Sequence, residues 1–328
     1  MALTTETTID DAAARSAQTI VKFVDPVVTA DGSPRASVRL RALKTLWFNT
    51  GTLCNLTCAN CYIESSPVND RLAYLTPDDV APYLDEIARN ELATEEIGFT
   101  GGEPFMNPDI IQLMALALER GFRVLVLTNA MRPMMKLAEP LVGLRAAHGD
   151  RLTLRVSVDH YGEALHVEER GDKSWTTTLA GLSWLDEQGF NINVAGRTCW
   201  DETDSSLRAG YARLFDQLSL PLDATNREHL VLFPEMDEAA DVPEITTACW
   251  GILEVSPDAM MCATSRMVVK RKGAAMPTIM PCTLLAYDEL FEMGATLAEA
   301  GGDVPLNHPH CARFCVLGGG ACSATAAE

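Results

Sequence analysis

Basic residues are scarce in this chain of 328. Lys and Arg number 26 against 45 Asp and Glu, a formal net charge of -19. Binding a phosphate backbone needs clustered Lys and Arg, so no nucleic-acid partner is expected. Long apolar runs are also missing. The most hydrophobic stretch, 113–128, is interrupted by Glu119, Arg120 and Arg123, and no membrane span is expected. The start, MALTTETTIDDAAARSAQ, lacks the basic opening and apolar centre of a secretory signal. A cytoplasmic protein is therefore expected. There, ten cysteines include metal ligands rather than building a disulfide framework. No internal repeat of fixed period is present. With 47% hydrophobic and 22% charged residues, the chain suits an acidic globular protein, long enough for a barrel-type α/β domain with an appendage.

A strand–helix rhythm begins at Lys44. LWFNT (46–50), EIGFTGG (96–102), GFRVLVLTN (121–129), RLTLRVSVDH (151–160), FNINVAGR (190–197) and HLVLFPEM (229–236) read as six strands. A helix over LTPDDVAPYLDEIARN is capped by Thr76 with Pro77 at its first position, and Val80, Leu84 and Ile87 form its apolar stripe. A second is expected to be capped by Asn107, with Pro108 following and Ile111, Met114, Ala115 and Leu118 on the core face. Weaker helix signals lie at 134–147, 174–188 and 204–218. The alternation implies βαβ units around a parallel sheet, an open partial barrel. In RVSVDH, Arg155, Ser157 and Asp159 share one face; in NINVAGR, Asn191, Asn193 and Arg197 do. A polar face fits either a lumen holding a polar ligand or an edge strand in water; the lumen is the favoured reading.

The first strand runs into GTLCNLTCANCY, where Cys54, Cys58 and Cys61 follow a C-x3-C-x2-C spacing. Residues this close wrap one metal centre. Zinc needs a fourth ligand, and no Cys or His lies between Cys61 and His148, so only a remote residue would complete it. A [4Fe–4S] cluster with one open iron fits three ligands better. This motif resembles the signature of radical S-adenosylmethionine (SAM) enzymes, and Gly101-Gly102-Glu103-Pro104 after the second strand resembles that family's second element. The resemblance spans about residues 44–236. It implies a partial (β/α)6 TIM-type barrel and a cluster on the three cysteines whose fourth iron is chelated by SAM. Reduction of the cluster would split SAM into methionine and a 5′-deoxyadenosyl radical that takes hydrogen from a substrate. It also implies SAM contacts from Gly101, Gly102 and Glu103, and from Asn129, Ser157, Asp159 and Arg197 at later strand ends. The aromatic often found before the third cysteine is replaced by Asn60, which leaves Tyr62 as the aromatic beside the adenine. HYGEALHVEERG (160–171) offers His160, Tyr161, His166 and Arg170 as pocket residues, or else a solvated loop.

The rhythm stops near 240. The organisation expected is an N-terminal extension over 1–43, partly disordered with a hairpin candidate at ADGSPR, the barrel over 44–240, and a cysteine-rich domain over 241–328. That tail resembles the SPASM and twitch extensions of the same family, which hold auxiliary iron–sulfur clusters. Its candidate ligands are Cys249, Cys262, Cys282, Cys311, Cys315 and Cys322, six for the four places of one auxiliary cluster. CATSRMVVKRKGAAMPTIMPC reads as two short strands around KRKGA. Zinc, with His308 and His310 beside Cys311, is the alternative. Cys199 is read as a small buried hydrophobe or a cavity residue. The function implied is a radical SAM oxidoreductase acting on a peptide or small metabolite, with an electron donor such as flavodoxin or ferredoxin. A redox-neutral mutase or epimerase, and a zinc-organised binding protein without catalysis, are the alternatives.

Overall fold

The structure, a computed structural model, describes residues 21–320. The N-terminal residues read above as frayed, and Cys322, lie outside the described residues. In chain order the elements are β1 (Ser37–Val38), β2 (Thr45–Asn49), α1 (Pro77–Arg89), β3 (Glu96–Thr100), α2 (Ile110–Glu119), β4 (Arg123–Thr128), α3 (Arg132–Met135), α4 (Ala138–His148), β5 (Leu152–Ser157), α5 (Glu163–Arg170), α6 (Ser174–Glu187), β6 (Asn191–Arg197), α7 (Asp204–Gln217), β7 (Leu230–Phe233), α8 (Cys249–Ile252), β8 (Ser265–Val269), β9 (Thr278–Met280) and β10 (Val304–Pro305), with short 3-10 turns between some of them and a π-helical turn over Cys311–Leu317. Strands β2 to β7 are the six read from the sequence. They lie side by side, all parallel, in the order β7-β6-β5-β4-β3-β2.

The sheet does not stop at β2. Strand β8 pairs in parallel with β2, Thr45 facing Ser265, and β9 returns antiparallel to β8. The tail therefore supplies two further strands to the barrel sheet. Near the N-terminal side, Val28 bridges Pro34 across the ADGSPR turn, and β1 pairs with β10.

The side chains of β2 divide between two cores. Leu46 and Phe48 point outward and pack with Val80, Leu84 and Ile87 of α1 and with Leu113 and Met114 of α2. Trp47 points inward, with Leu125, Met267, Val269, Met280 and Phe314. Position 98, facing Trp47 on β3, must be glycine: a Cβ there would come 2.2 Å from the Trp47 ring. Each buried aliphatic side chain contributes roughly 1.5–3 kcal/mol, so the two layers hold the sheet from both faces.

Helix α1 forms as its sequence implies, with a reciprocal capping box between Thr76 and Asp79 and Pro77 at its start. Helix α2 differs. It starts at Ile110, and its N-cap Asp109 makes no side-chain cap bond. Asn107 instead donates through Nδ2 to the carbonyls of Thr50 and Leu75, tying together two loops at the carboxyl end of the sheet. The core face moves with it: Ile110, Leu113, Met114, Ala117 and Leu118 are buried, and Ile111 and Ala115 only partly. The segment read as one helix over 134–147 is broken into α3 and α4.

Candidate active site

Strands β5 and β6 are both interior to the sheet. Their polar faces therefore border a lumen, not an edge in water. At the carboxyl end of the sheet lies a cavity of about 160 Å³, lined by Cys54, Cys58 and Cys61, by Asn60 and Tyr62, and by Gly101, Gly102, Asn129, Ser157, Asp159 and Arg197. With Arg170 of α5, which also lines it, twelve positions named from the sequence thus meet at one place, eleven of them from five different strand ends. Nine of the ten cysteines fall in the described residues, and none of them forms a disulfide.

Glu103 is the exception. It is buried, 2% exposed, and is absent from that lining. Its carboxylate accepts from the backbone N–H groups of Phe105 and Asn129 and from the Thr128 hydroxyl. Burial nevertheless pushes its pKa up to about 7. Its role is to lock the second loop to the end of β4. The glycines before it have a packing reason as well. Gly101 has φ +136, and a Cβ on it would lie 2.4 Å from the Gly51 carbonyl; one on Gly102 would lie 2.2 Å from that of Leu53. Close approach lets Gly102 and Glu103 donate backbone hydrogen bonds to Gly51 and Leu53, which seats the cysteine loop.

The loop is held on its other side by α5. Glu169 accepts from the Asn60 backbone N–H at 3.0 Å and from Asn60 Nδ2 at 2.7 Å. The same carboxylate pairs with Arg197 at 2.9 Å, and Arg197 also donates to the Asn60 carbonyl. Arg170 makes a two-pronged contact with Asp159, at 2.5 and 3.1 Å. Burial works against the Arg170 cation, but Asp159 and the nearby thiols outweigh it and raise its pKa. Sequence reading missed Glu169, Phe233 and Met236, which also line the cavity. Only the run of charges in VEERG marked the first. His160, Tyr161 and His166 do not line it. The first two bond to Glu202, and His166 is wholly buried against Trp175.

With the Asn60 side chain taken up by Glu169, Tyr62 and Phe233 supply the aromatic rings on the cavity wall. Two features fit a charged cofactor there. Buried Arg197 Nε has no hydrogen-bond partner, a cationic donor available to a carboxylate. Burial pushes the Cys54 thiol up to about 12 and the Cys58 thiol up to about 11, so their thiolates need a strongly cationic partner such as a metal centre. Tyr62, Cys61, Asn60 and Met236 also border a second, wider cleft of about 630 Å³, whose far wall is Leu284, Leu285, Tyr287, Asp288 and His308 of the tail.

In the tail, Cys262, Cys282, Cys311 and Cys315 surround one small apolar cavity with Met260, Met261, Leu285, Val304 and Leu306. Burial pushes Cys262 up to about 11 and Cys311 up to about 12. Cys249 stands apart, accepting from Thr246 on α8's approach. Cys199 is half-buried near Arg197 and Glu235. His308 and His310 face Glu238 and not the cysteines. Among the described residues, these three form the one group of His, Cys, Asp or Glu ligand atoms within 4.8 Å of each other. Neither the described tail cysteines nor Cys54, Cys58 and Cys61 bring three sulfurs that close to one another.

The model of the radical SAM superfamily matches residues 48–209. The chain belongs to the radical SAM superfamily. Radical SAM proteins use a [4Fe–4S] cluster and SAM, and these are its cofactors. Over 169 residues it is 28% identical to the antilisterial bacteriocin subtilosin biosynthesis protein AlbA of Bacillus subtilis, covering 51% of this chain and 35% of that one. Over 145 residues it is 30% identical to the AdoMet-dependent heme synthase of Methanosarcina barkeri, covering 43% and 38%. The matches thus span little more than a third of these relatives' length. In fold it is similar to Streptococcus suis SuiB bound to its precursor peptide SuiA, with TM-score 0.56 at 14% identity over 78% of this chain and 63% of that one. No helix among the described residues is long and apolar enough to cross a membrane.

Proposed function

We propose that this radical SAM protein is an oxidoreductase acting on a peptide, with Cys54, Cys58 and Cys61 holding the SAM-cleaving cluster and Cys262, Cys282, Cys311 and Cys315 an auxiliary one. The observation that carries the reading is the shared cavity: three cysteines, the glycine loop, Asn129, Ser157, Asp159 and Arg197 converge on it. When bound, the cluster and SAM supply a 5′-deoxyadenosyl radical. The chain's own residues position and enclose them. Gly101 and Gly102 allow backbone approach, Arg197 offers Nε to a carboxylate, and Tyr62 and Phe233 present ring faces to a base. Asn60, Glu169 and Arg197 keep the cysteine loop in place, and the hydrophobic wall behind limits water.

The wider cleft between the cysteine loop and the tail is the substrate site in this reading. It adjoins the first cavity through Cys61 and Tyr62, and it is open enough for an extended chain. A peptide substrate is supported by the similarity to AlbA and by the precursor peptide bound to SuiB. The tail after residue 240 is then an auxiliary-cluster domain of the SPASM or twitch type, whose four-cysteine cavity takes up the electron left after hydrogen removal. The test is anaerobic purification with iron and sulfide counts, then reductant and SAM. About eight irons and release of 5′-deoxyadenosine are expected, four irons per cluster. Peptides encoded beside the gene should then lose hydrogen. Zinc in place of iron overturns the reading; about four irons removes the auxiliary cluster.

A further inference from the structure

Strand β8 carries a buried cation that pairs with no carboxylate among the described residues. Arg266 is 0% exposed. Its guanidinium donates only to backbone carbonyls: Nε to Ala300 at 2.8 Å, Nη1 to Cys262 at 2.6 Å and Ser265 at 2.8 Å, Nη2 to Gly302 at 3.2 Å. Those bonds take up four of its five N–H donors but leave its charge without a counter-ion. A buried charge without a counter-ion costs several kcal/mol. Among the described residues, the ionisable groups that favour its charge are the thiols of Cys262 and Cys282, against a burial that disfavours it. Both thiols line the four-cysteine cavity. The other cysteine site is different: there the nearby cation, Arg170, is already neutralised by Asp159.

We propose that Arg266 is the buried counter-ion of the metal group held by Cys262, Cys282, Cys311 and Cys315, and that it raises the reduction potential of that group. The inference rests on reading the tail as an iron–sulfur site. The physical argument is direct. Four thiolates make a cubane cluster anionic, and reduction adds one more negative charge. A fixed cation in a water-free site stabilises the reduced form more than the oxidised form. The bond from Nη1 to the Cys262 carbonyl sets the guanidinium against the backbone of a ligand, so Arg266 is a positioning and tuning residue, not a catalytic one. A higher potential suits a group that must accept an electron from the substrate.

The test is a redox titration followed by electron paramagnetic resonance on the full chain carrying both clusters. The signal that SAM does not perturb belongs to the tail. Arg266→Met and Arg266→Gln remove the charge, and Arg266→Lys keeps it. The expected result is a shift of the tail midpoint to lower potential in the Met and Gln variants, with Lys nearer the wild type. If Met and Gln load about four irons while Lys loads about eight, the cation is needed for assembly, which also supports the proposal. Met and Gln variants with full iron and a wild-type midpoint overturn it, as does a Lys variant shifted as far as Met. Loss of the tail irons in all three variants shows a backbone clasp and overturns it too. A wild-type protein with no iron in the tail fails the underlying reading first, and this inference with it.

Discussion

At the scale of single residues, the two cysteine sets should separate by phenotype. Cys58→Ala removes one of the three cysteines proposed to hold the SAM-cleaving cluster, and 5′-deoxyadenosine formation should vanish. Cys315→Ala lies in the other cavity and should spare abortive SAM cleavage while stopping product formation. Chromatographic assay of both products decides it, and equal behaviour would sink the division of roles. Iron content and circular dichroism come first, because metal binding and folding are coupled in small metal domains. His166 gives a prediction about pH. It is fully buried with both ring nitrogens unpartnered. Burial foremost, then the nearby Arg170, pulls its pKa from 6.5 to about 4. The unfolded chain binds this proton below 6.5 and the folded chain does not until about 4. Its stabilising effect is therefore complete above 6.5 and lost as pH falls towards 4, a change on the order of 3 kcal/mol. His308 and His310 are also pulled to about 4 by burial. Urea midpoints of His166→Phe between pH 7 and 4.5 should thus show a shallower slope than wild type, not a flat one.

At the scale of elements, local chemistry and packing make different demands. Thr76 caps α1 and lines neither cysteine cavity, and Thr76→Ala should cost about 1 kcal/mol. Thermal unfolding should report that loss with iron content unchanged. Gly98→Ala is the opposite case. Its side chain would press on Trp47, which is 1% exposed and has nowhere to move. Overpacking of this kind costs about 1–3 kcal/mol, and a denaturant midpoint as high as wild type would show that the two strands can separate. Because Trp47 also borders the tail's core, strain at β3 should be felt on both sides of the sheet.

For the whole molecule, the pairing of β2 with β8 joins residues about 220 positions apart. The tail therefore completes the barrel sheet as well as its own cysteine cavity. A chain ending at residue 240 would leave the edge of β2 unpaired, with Trp47 stripped of Met267, Val269 and Met280. An exposed apolar edge invites aggregation. Expression of that shortened chain should yield insoluble protein, and a monodisperse, iron-loaded product in size-exclusion chromatography would contradict this account. The wide cleft likewise exists only because the tail forms its far wall.

The sequence by itself determined whatever depends on neighbouring residues. Strands β2 to β7, the capping of α1, the cysteine triad and the glycine loop all rest on short spacings, and periodicity expresses these directly. It also marked the polar faces of β5 and β6, but not what they border; their interior places in the sheet decided that. The tertiary structure alone gathered four of the five described tail cysteines around one cavity, turned Glu103 away from the first cavity, and brought Glu169 to Asn60 across 109 positions. It also set Arg266 against the backbone of Cys262. Contacts of that kind carry no periodic signal, because chain topology creates them and not local preference. The motif fell short by one ligand in the sequence; in the structure Arg197, Asn129 and two aromatic rings line the cavity that its three cysteines share.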